Sequence, residues 1–135
     1  MQLVAGGGPF SPGAAVEGEE MIEVVTELLR HNAHPGYVTL MVSEAASQDY
    51  PGVDGFREAW SDWISPYDGF RIEFDDVQLL EDRLLFEVRQ IATTRQNGVE
   101  VETPSAAIWW FEDGQISQAA FYLDRQAGRK AAGIV

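Results

Sequence analysis

Met21, Ile22, Val25, Leu28 and Leu29 recur at intervals of three and four residues, the period that gathers side chains on one face of an α-helix. Glu17, Glu19 and Glu20 stand near the start of this run, where the helix dipole favours carboxylates, and "RHNAHPG" ends it because Pro35 and Gly36 do not continue a helix. Tyr37, Leu40 and Met41 predict a short second helix, and "EAASQDY" an extended piece closed by Pro51 and Gly52. Helical spacing returns in "VDGFREAWSDWISPYD" through Phe56, Trp60, Trp63 and Ile64, with Pro66 as its stop. After Gly69 the period falls to two. "FRIEFDDVQLL", "RLLFEVRQIATT", "VEVETPSAAIWWF" and "QISQAAFYLD" are divided by turn signals at Glu81-Asp82, Gln96-Asn97-Gly98 and Asp113-Gly114, and the tail "RQAGRKAAGIV" follows.

Helices followed by an antiparallel meander predict an α+β domain, its helices on one face of a curved sheet. The concave side of such a sheet is a cone that a small molecule could occupy. Strand alternation groups Val88 with Gln90, Ala107 with Trp109 and Phe111, and Ala119 with Phe121 and Leu123, all pointing into the cone. Arg89, Ile108, Trp110, Tyr122 and Asp124 then point outward.

With 135 residues the chain makes one domain with one core. Met1 to Gly18, rich in Gly, Pro and Ala without periodicity, reads as a flexible leader (1–18) ahead of a folded domain at 19–135. A net charge of −13, with nine scattered Lys and Arg, disfavours nucleic acid and an anionic membrane surface as partners. The absence of cysteine removes disulfides, thiolate nucleophiles and Cys-ligated metal. No signal-peptide pattern opens the chain, so a cytoplasmic location is expected. His31 and His34 at the end of the first helix suit the dipole better than a metal, and the carboxylates Glu73, Asp75 and Asp76 read as a solvated edge; no metal or cofactor is expected.

The order of these pieces, with "GVDGFREAWSDW", "FEDGQI" and "FYLDRQAGRKAAGI", resembles the nuclear transport factor 2 superfamily, and within it the SnoaL-like proteins. The resemblance runs from about Glu19 to Val135 and implies the cone-shaped nuclear transport factor 2-like fold. It does not by itself imply one activity, because that cone hosts isomerases, cyclases, dehydratases, epoxide hydrolases and non-enzymes. Similarity to ketosteroid isomerase puts the catalytic base on Asp49, but its two oxyanion donors fall near Val25 and Ala107, which cannot donate; each lost donor is worth about 3 to 4 kcal/mol. Similarity to limonene epoxide hydrolase puts its catalytic arginine and aspartates on Val88, Gln90 and Phe121, so that epoxide hydrolysis is not expected. The acid/base aspartate of SnoaL-type polyketide cyclases falls among Ala119, Ala120 and Phe121. Scytalone dehydratase needs pocket histidines, for which His31 and His34 are poorly placed.

The expectation is a SnoaL-like protein that binds a small, largely apolar or polycyclic molecule among Val25, Leu28, Tyr50, Phe56, Trp60, Phe86, Val88, Ala107, Trp109, Ala119 and Phe121. Cofactor-independent isomerisation, cyclisation or dehydration would use Asp49 as acid or base, its pKa raised by desolvation at the cone's mouth, with Gln90 orienting the ligand. The alternatives are a non-catalytic binding protein or a scaffold with a degenerate pocket, Asp49 being then a solvated turn carboxylate and Gln90 a satisfied amide. Ile108, Trp110 and Tyr122, left outward on an uncovered face, predict a homodimer with Arg89 pairing across its seam.

Overall fold

The computed structural model describes residues 10–44 and 46–134. Its elements are β1 (Ala15–Glu17), α1 (Gly18–Asn32), β2 (Ala33–Val42), β3 (Ser47–Pro51), α2 (Gly52–Ile64), β4 (Tyr67–Leu79), β5 (Arg83–Thr94), β6 (Glu100–Glu112), β7 (Gln115–Tyr122) and α3 (Arg125–Ala131). The strands form one seven-stranded sheet in the order β1-β4-β5-β6-β7-β2-β3. β2 runs parallel to β7, and every other neighbouring pair is antiparallel. Register shifts in the β4/β5, β6/β7 and β2/β7 ladders place extra residues on one strand of each pair, a device that bends and twists a sheet. The result is the expected α+β cone.

Period-two patterning gives the central strands two buried faces. Leu84, Phe86 and Val88 of β5, Ala107 and Trp109 of β6, and Ala119 and Phe121 of β7 turn inward, where Met21, Val25 and Leu29 of α1 and Phe56 and Trp60 of α2 cover them. Trp60 lies edge-on to Phe121 with ring centroids 5.0 Å apart, and Phe121 meets Trp109 at 5.8 Å and Phe56 at 6.2 Å.

Three expectations are corrected. Tyr37, Leu40 and Met41 belong to a strand and not to a helix: Tyr37, Thr39 and Met41 are buried while Val38 and Leu40 between them are half-exposed. Pairing with β3 on one side and β7 on the other gives this segment more backbone hydrogen bonds than an isolated turn of helix would, and its β-branched Val38, Thr39 and Val42 suit it. Second, the expected leader is folded from residue 10 onward, while residues 1–9 lie outside the described part of the chain. Phe10 is buried 5.5 Å from Phe74 and 6.4 Å from Phe86, Gly13 N–H donates to the Phe74 carbonyl, and β1 adds an edge strand to β4.

The third correction concerns the outer face. Ile108, Trp110 and Tyr122 do point away from the cone, yet Ile108 is wholly inaccessible in a second cluster with Leu85, Ala106 and Ala132, against which Trp110 and Tyr122 pack half-buried. The chain's own tail thus buries Ile108 and leaves Trp110 and Tyr122 half-covered. Arg89, expected across a seam, pairs within the chain with Asp75, Glu73 and Glu102. The helix is held by an Asp124 carboxylate that accepts the Ala127 N–H at 3.1 Å, by Arg125 on Asp75 at 2.6 Å, by Arg129 on Glu87, and by Arg83, which donates to the Ala132 carbonyl at 2.7 and 3.0 Å. Glu73 and Asp75 are therefore partners of arginines and not a free solvated edge. No helix among the described residues is long and apolar enough to cross a membrane.

Gly128 sits where α3 comes closest to the sheet: a β-carbon there would lie 2.5 Å from the Ala106 Cβ and 3.2 Å from that of Tyr122. Gly128→Ala should therefore destabilise the fold by about 1 to 3 kcal/mol in urea unfolding, despite the better helix propensity of alanine. Burial of Asp75 opposes its ionisation, but hydrogen bonds from Arg125 and Arg89 outweigh this and hold its carboxyl below the usual range. Such a group contributes its stability fully above the unfolded-state value of about 3.9 and loses it as pH falls through the lower folded-state value. Asp75→Asn should accordingly be less stable than the native chain at neutral pH and lose less of its stability on acidification below about pH 4.

Candidate ligand site

Inside the cone, between α1, α2 and the inward face of the sheet, lies a cavity of about 40 Å³. Val25, Trp60, Phe86, Val88, Gln90, Ala107, Trp109 and Phe121, all candidates from the sequence, are on its wall, and Phe10, Met21, Ile72, Phe74 and Ala106 complete it. At about 10 to 15 Å³ for one water, the space holds about three. A cavity of about 150 Å³ is needed for a ring the size of benzene, so the three aromatic rings around Phe121 leave a slot and not an open bowl.

The other candidates are elsewhere. Leu28, Tyr50, Phe56 and Ala119 pack in or against the core without bounding the cavity. Asp49 does not lie at a desolvated mouth. It is exposed on β3, the outermost strand, opposite Leu40, and because Tyr50 beside it turns toward the core, alternation turns Asp49 to solvent. His31 is hydrogen-bonded to Glu27 at 2.8 Å and the His34 Nδ1 accepts the Gly36 N–H at 3.0 Å, both outside the cone. Tyr37 is buried and bonded to the Thr39 hydroxyl at 2.7 Å; burial pushes its phenol well above the usual range, and it does not line the cavity.

The wall carries no carboxylate, imidazole, lysine or arginine among the described residues; the lining residues with polar side-chain atoms are Gln90, Trp60 and Trp109. Gln90 sits at the middle of β5, opposite Ile72 of β4 and Thr103 of β6, with one of its polar ends already engaged. The Trp63 Nε1–H, one turn beyond Trp60 on α2, donates to Gln90 Oε1 at 2.9 Å. An indole N–H can only donate, so this contact fixes which end of the amide is oxygen and leaves its nitrogen free to face other acceptors. Trp60 Nε1 is buried and has no hydrogen-bond partner among the described residues.

Sequence reasoning missed Phe10, whose Gly- and Pro-rich surroundings read as a leader. Met21 was on the predicted helix face, and Ile72 and Phe74 on the predicted strand, without being assigned to the cavity.

The SnoaL-like domain family matches residues 14–119. The chain belongs to this family. A protein assigned as a SnoaL-like polyketide cyclase from Jannaschia sp. CCS1 superposes with a TM-score of 0.60 at 14% identity over 71% of this chain and 69% of the other. TerC, crystallised with polyporic acid, gives 0.62 at 14% identity over 84% and 89%. A protein of ketosteroid isomerase-like fold from Catenulispora acidiphila DSM 44928, in complex with trimethylamine, gives 0.58 at 10% identity over 82% and 83%. No curated protein sequence matches the chain. Of the positions on which the resemblance placed donors, acids or bases, Val25, Val88, Gln90, Ala107 and Phe121 are on the cavity wall, all but Gln90 apolar, while Asp49, Ala119 and Ala120 are not.

Replacing Gln90 by Leu strips the half-buried Trp63 N–H of its acceptor. Gln90→Leu should cost about 1 to 3 kcal/mol in urea unfolding, and Trp63→Phe in the Gln90→Leu background should recover part of that loss, since the orphaned donor is then gone.

Proposed function

We propose that this SnoaL-like domain binds a small, largely apolar molecule inside its cone and performs no acid–base chemistry there. The observation that carries this reading is the composition of the cavity wall, apolar except for the Gln90 amide and the indole nitrogens of Trp60 and Trp109. Proton transfer needs a group within hydrogen-bond reach of the reacting atom, and the acid or base favoured from the sequence, Asp49, faces solvent on an edge strand. An isomerase, cyclase or dehydratase built on Asp49 is correspondingly disfavoured. Polyporic acid in TerC and trimethylamine in the Catenulispora protein support small-molecule binding by cones of this shape.

A cavity of about 40 Å³ does not admit such a molecule until one of its walls moves. Phe10 is the wall residue best able to do so. It precedes the first strand, is held by ring contacts with Phe74 and Phe86, and needs only a local swing to give up its volume, whereas Trp60, Trp109 and Phe121 are locked in helices and central strands. The rival reading is a scaffold whose cone is merely core.

The neutral fluorophore N-phenyl-1-naphthylamine separates the two. Its emission should rise on binding to the native chain, and Phe10→Ala should tighten binding severalfold by opening the wall, while Asp49→Asn leaves it unchanged. No emission change with either the native chain or Phe10→Ala would establish the scaffold.

A further inference from the structure

We infer that Asn97 is a site at which the chain modifies itself, losing ammonia to form aspartate and isoaspartate through a cyclic imide, with the Thr94 hydroxyl and the Val99 N–H assisting the closure. The inference is independent of the cavity and concerns the turn between β5 and β6. The chain has two asparagines, and their surroundings differ in each respect that the reaction needs. Asn97 is exposed and precedes Gly98, which has φ 65° and open space where a β-carbon would stand, so nothing hinders the approach of its nitrogen. Asn32, half-buried at the end of α1, precedes Ala33, whose N–H is bonded to the Leu29 carbonyl, and its own Nδ2 donates to the Leu28 carbonyl at 2.9 Å.

The reaction balances with water alone. Hydroxide removes the Gly98 amide proton, and the nitrogen attacks the side-chain carbonyl carbon of Asn97. A C–N bond forms, closing a five-membered ring, and the negative charge moves to Oδ1. The bond from that carbon to Nδ2 then breaks, and Nδ2 takes a proton from water and leaves as ammonia. Nδ2 has no hydrogen-bond partner among the described residues to hold it back. Water reopens the imide at either carbonyl, so that one amide and one water have become one acid and one ammonia.

The turn already carries donors where this charge develops. The Thr94 hydroxyl donates to Asn97 Oδ1, and so does the Val99 N–H at 3.2 Å, which also lies 3.3 Å from the Thr94 hydroxyl oxygen. A backbone N–H only donates, so this contact fixes which end of the Asn97 amide is oxygen. Donors aimed at an oxygen that gains charge lower the barrier, an effect that exposure to water reduces without abolishing. One contact opposes the reaction: the Gly98 N–H donates to the Thr94 carbonyl at 3.0 Å and must let go first. A single hydrogen bond of this kind slows the reaction by about tenfold at most, and the donors on Oδ1 act against it.

The full chain is kept at mildly alkaline pH and sampled by intact mass and by peptide mapping, with fragmentation that tells isoaspartate from aspartate. The native chain should gain the mass of one acid-for-amide exchange, faster as pH rises, confined to the peptide that bears Asn97 and with isoaspartate present, while Asn32 stays intact. Asn97→Gln, whose ring would be six-membered, should gain none over the same time, and Thr94→Val should slow the gain severalfold. If Asn97→Gln does not fold, the native chain decides alone, Asn32 being the control within it. No gain in the native chain, or an equal gain at Asn32, would overturn the site. Aspartate without isoaspartate would overturn the cyclic route, and an undiminished gain in Thr94→Val would overturn the part given to the donors of the turn.

Discussion

The edge-on contact of Trp60 with Phe121 ties the second helix to the seventh strand, and most of the interior is arranged around it. Its centroid distance of 5.0 Å lies within the range where aromatic quadrupoles attract, adding about 0.5 to 1.5 kcal/mol to the larger gain from burying two rings. Phe121 in turn contacts Trp109 on β6 and Phe56 on α2, so one ring joins two strands and a helix. Large rings meeting at right angles do not fill space completely, and the cavity is what they leave. The same packing that closes the cone also leaves the Trp60 indole nitrogen without an acceptor among the described residues.

Because the central strands are apolar on both faces, the sheet needs cover on both sides. α1 and α2 supply it inside and α3 outside. The outer cover is fastened by Arg125, Arg129 and Arg83, while Arg71 and Arg89 pair with carboxylates along the strands beside it. These are most of the nine basic residues of a strongly acidic chain. Clustered carboxylates such as Glu73, Asp75 and Glu87 would repel one another without them, so the arginines are as necessary to the strands as to the helix they hold.

How far this could be read in the sequence follows the range of the interactions. The meander was legible because its signals are local: alternation along β5 to β7, and turns whose residues need positive φ, namely Gly98, Asp113 and Gly114 at 65°, 53° and 77°. The inward and outward sets came from the same alternation, and with them most of the cavity wall. β2 was misread since its identity depends on β7, about eighty positions later, and a parallel pair leaves no hairpin to announce it. Phe10 and α3 were missed for a related reason: a lone aromatic among glycines and a short Ala-rich tail reveal their apolar side only against a surface made elsewhere. Asp49 was misplaced because one residue of register on a five-residue edge strand decides between cone and solvent.

The parallel pairing of β2 with β7 also bears on how the chain reaches its fold. β2 must remain without one of its neighbours until the last strand has been made, and closing that gap is a long-range event of the kind that slows folding. Until then α1 and α2 have only part of the surface they cover, and Trp60 lacks Phe121. During synthesis the first half of the molecule is thus a partly collapsed body with bare aromatic rings and an unpaired strand, the state in which a nascent chain most needs protection from its neighbours.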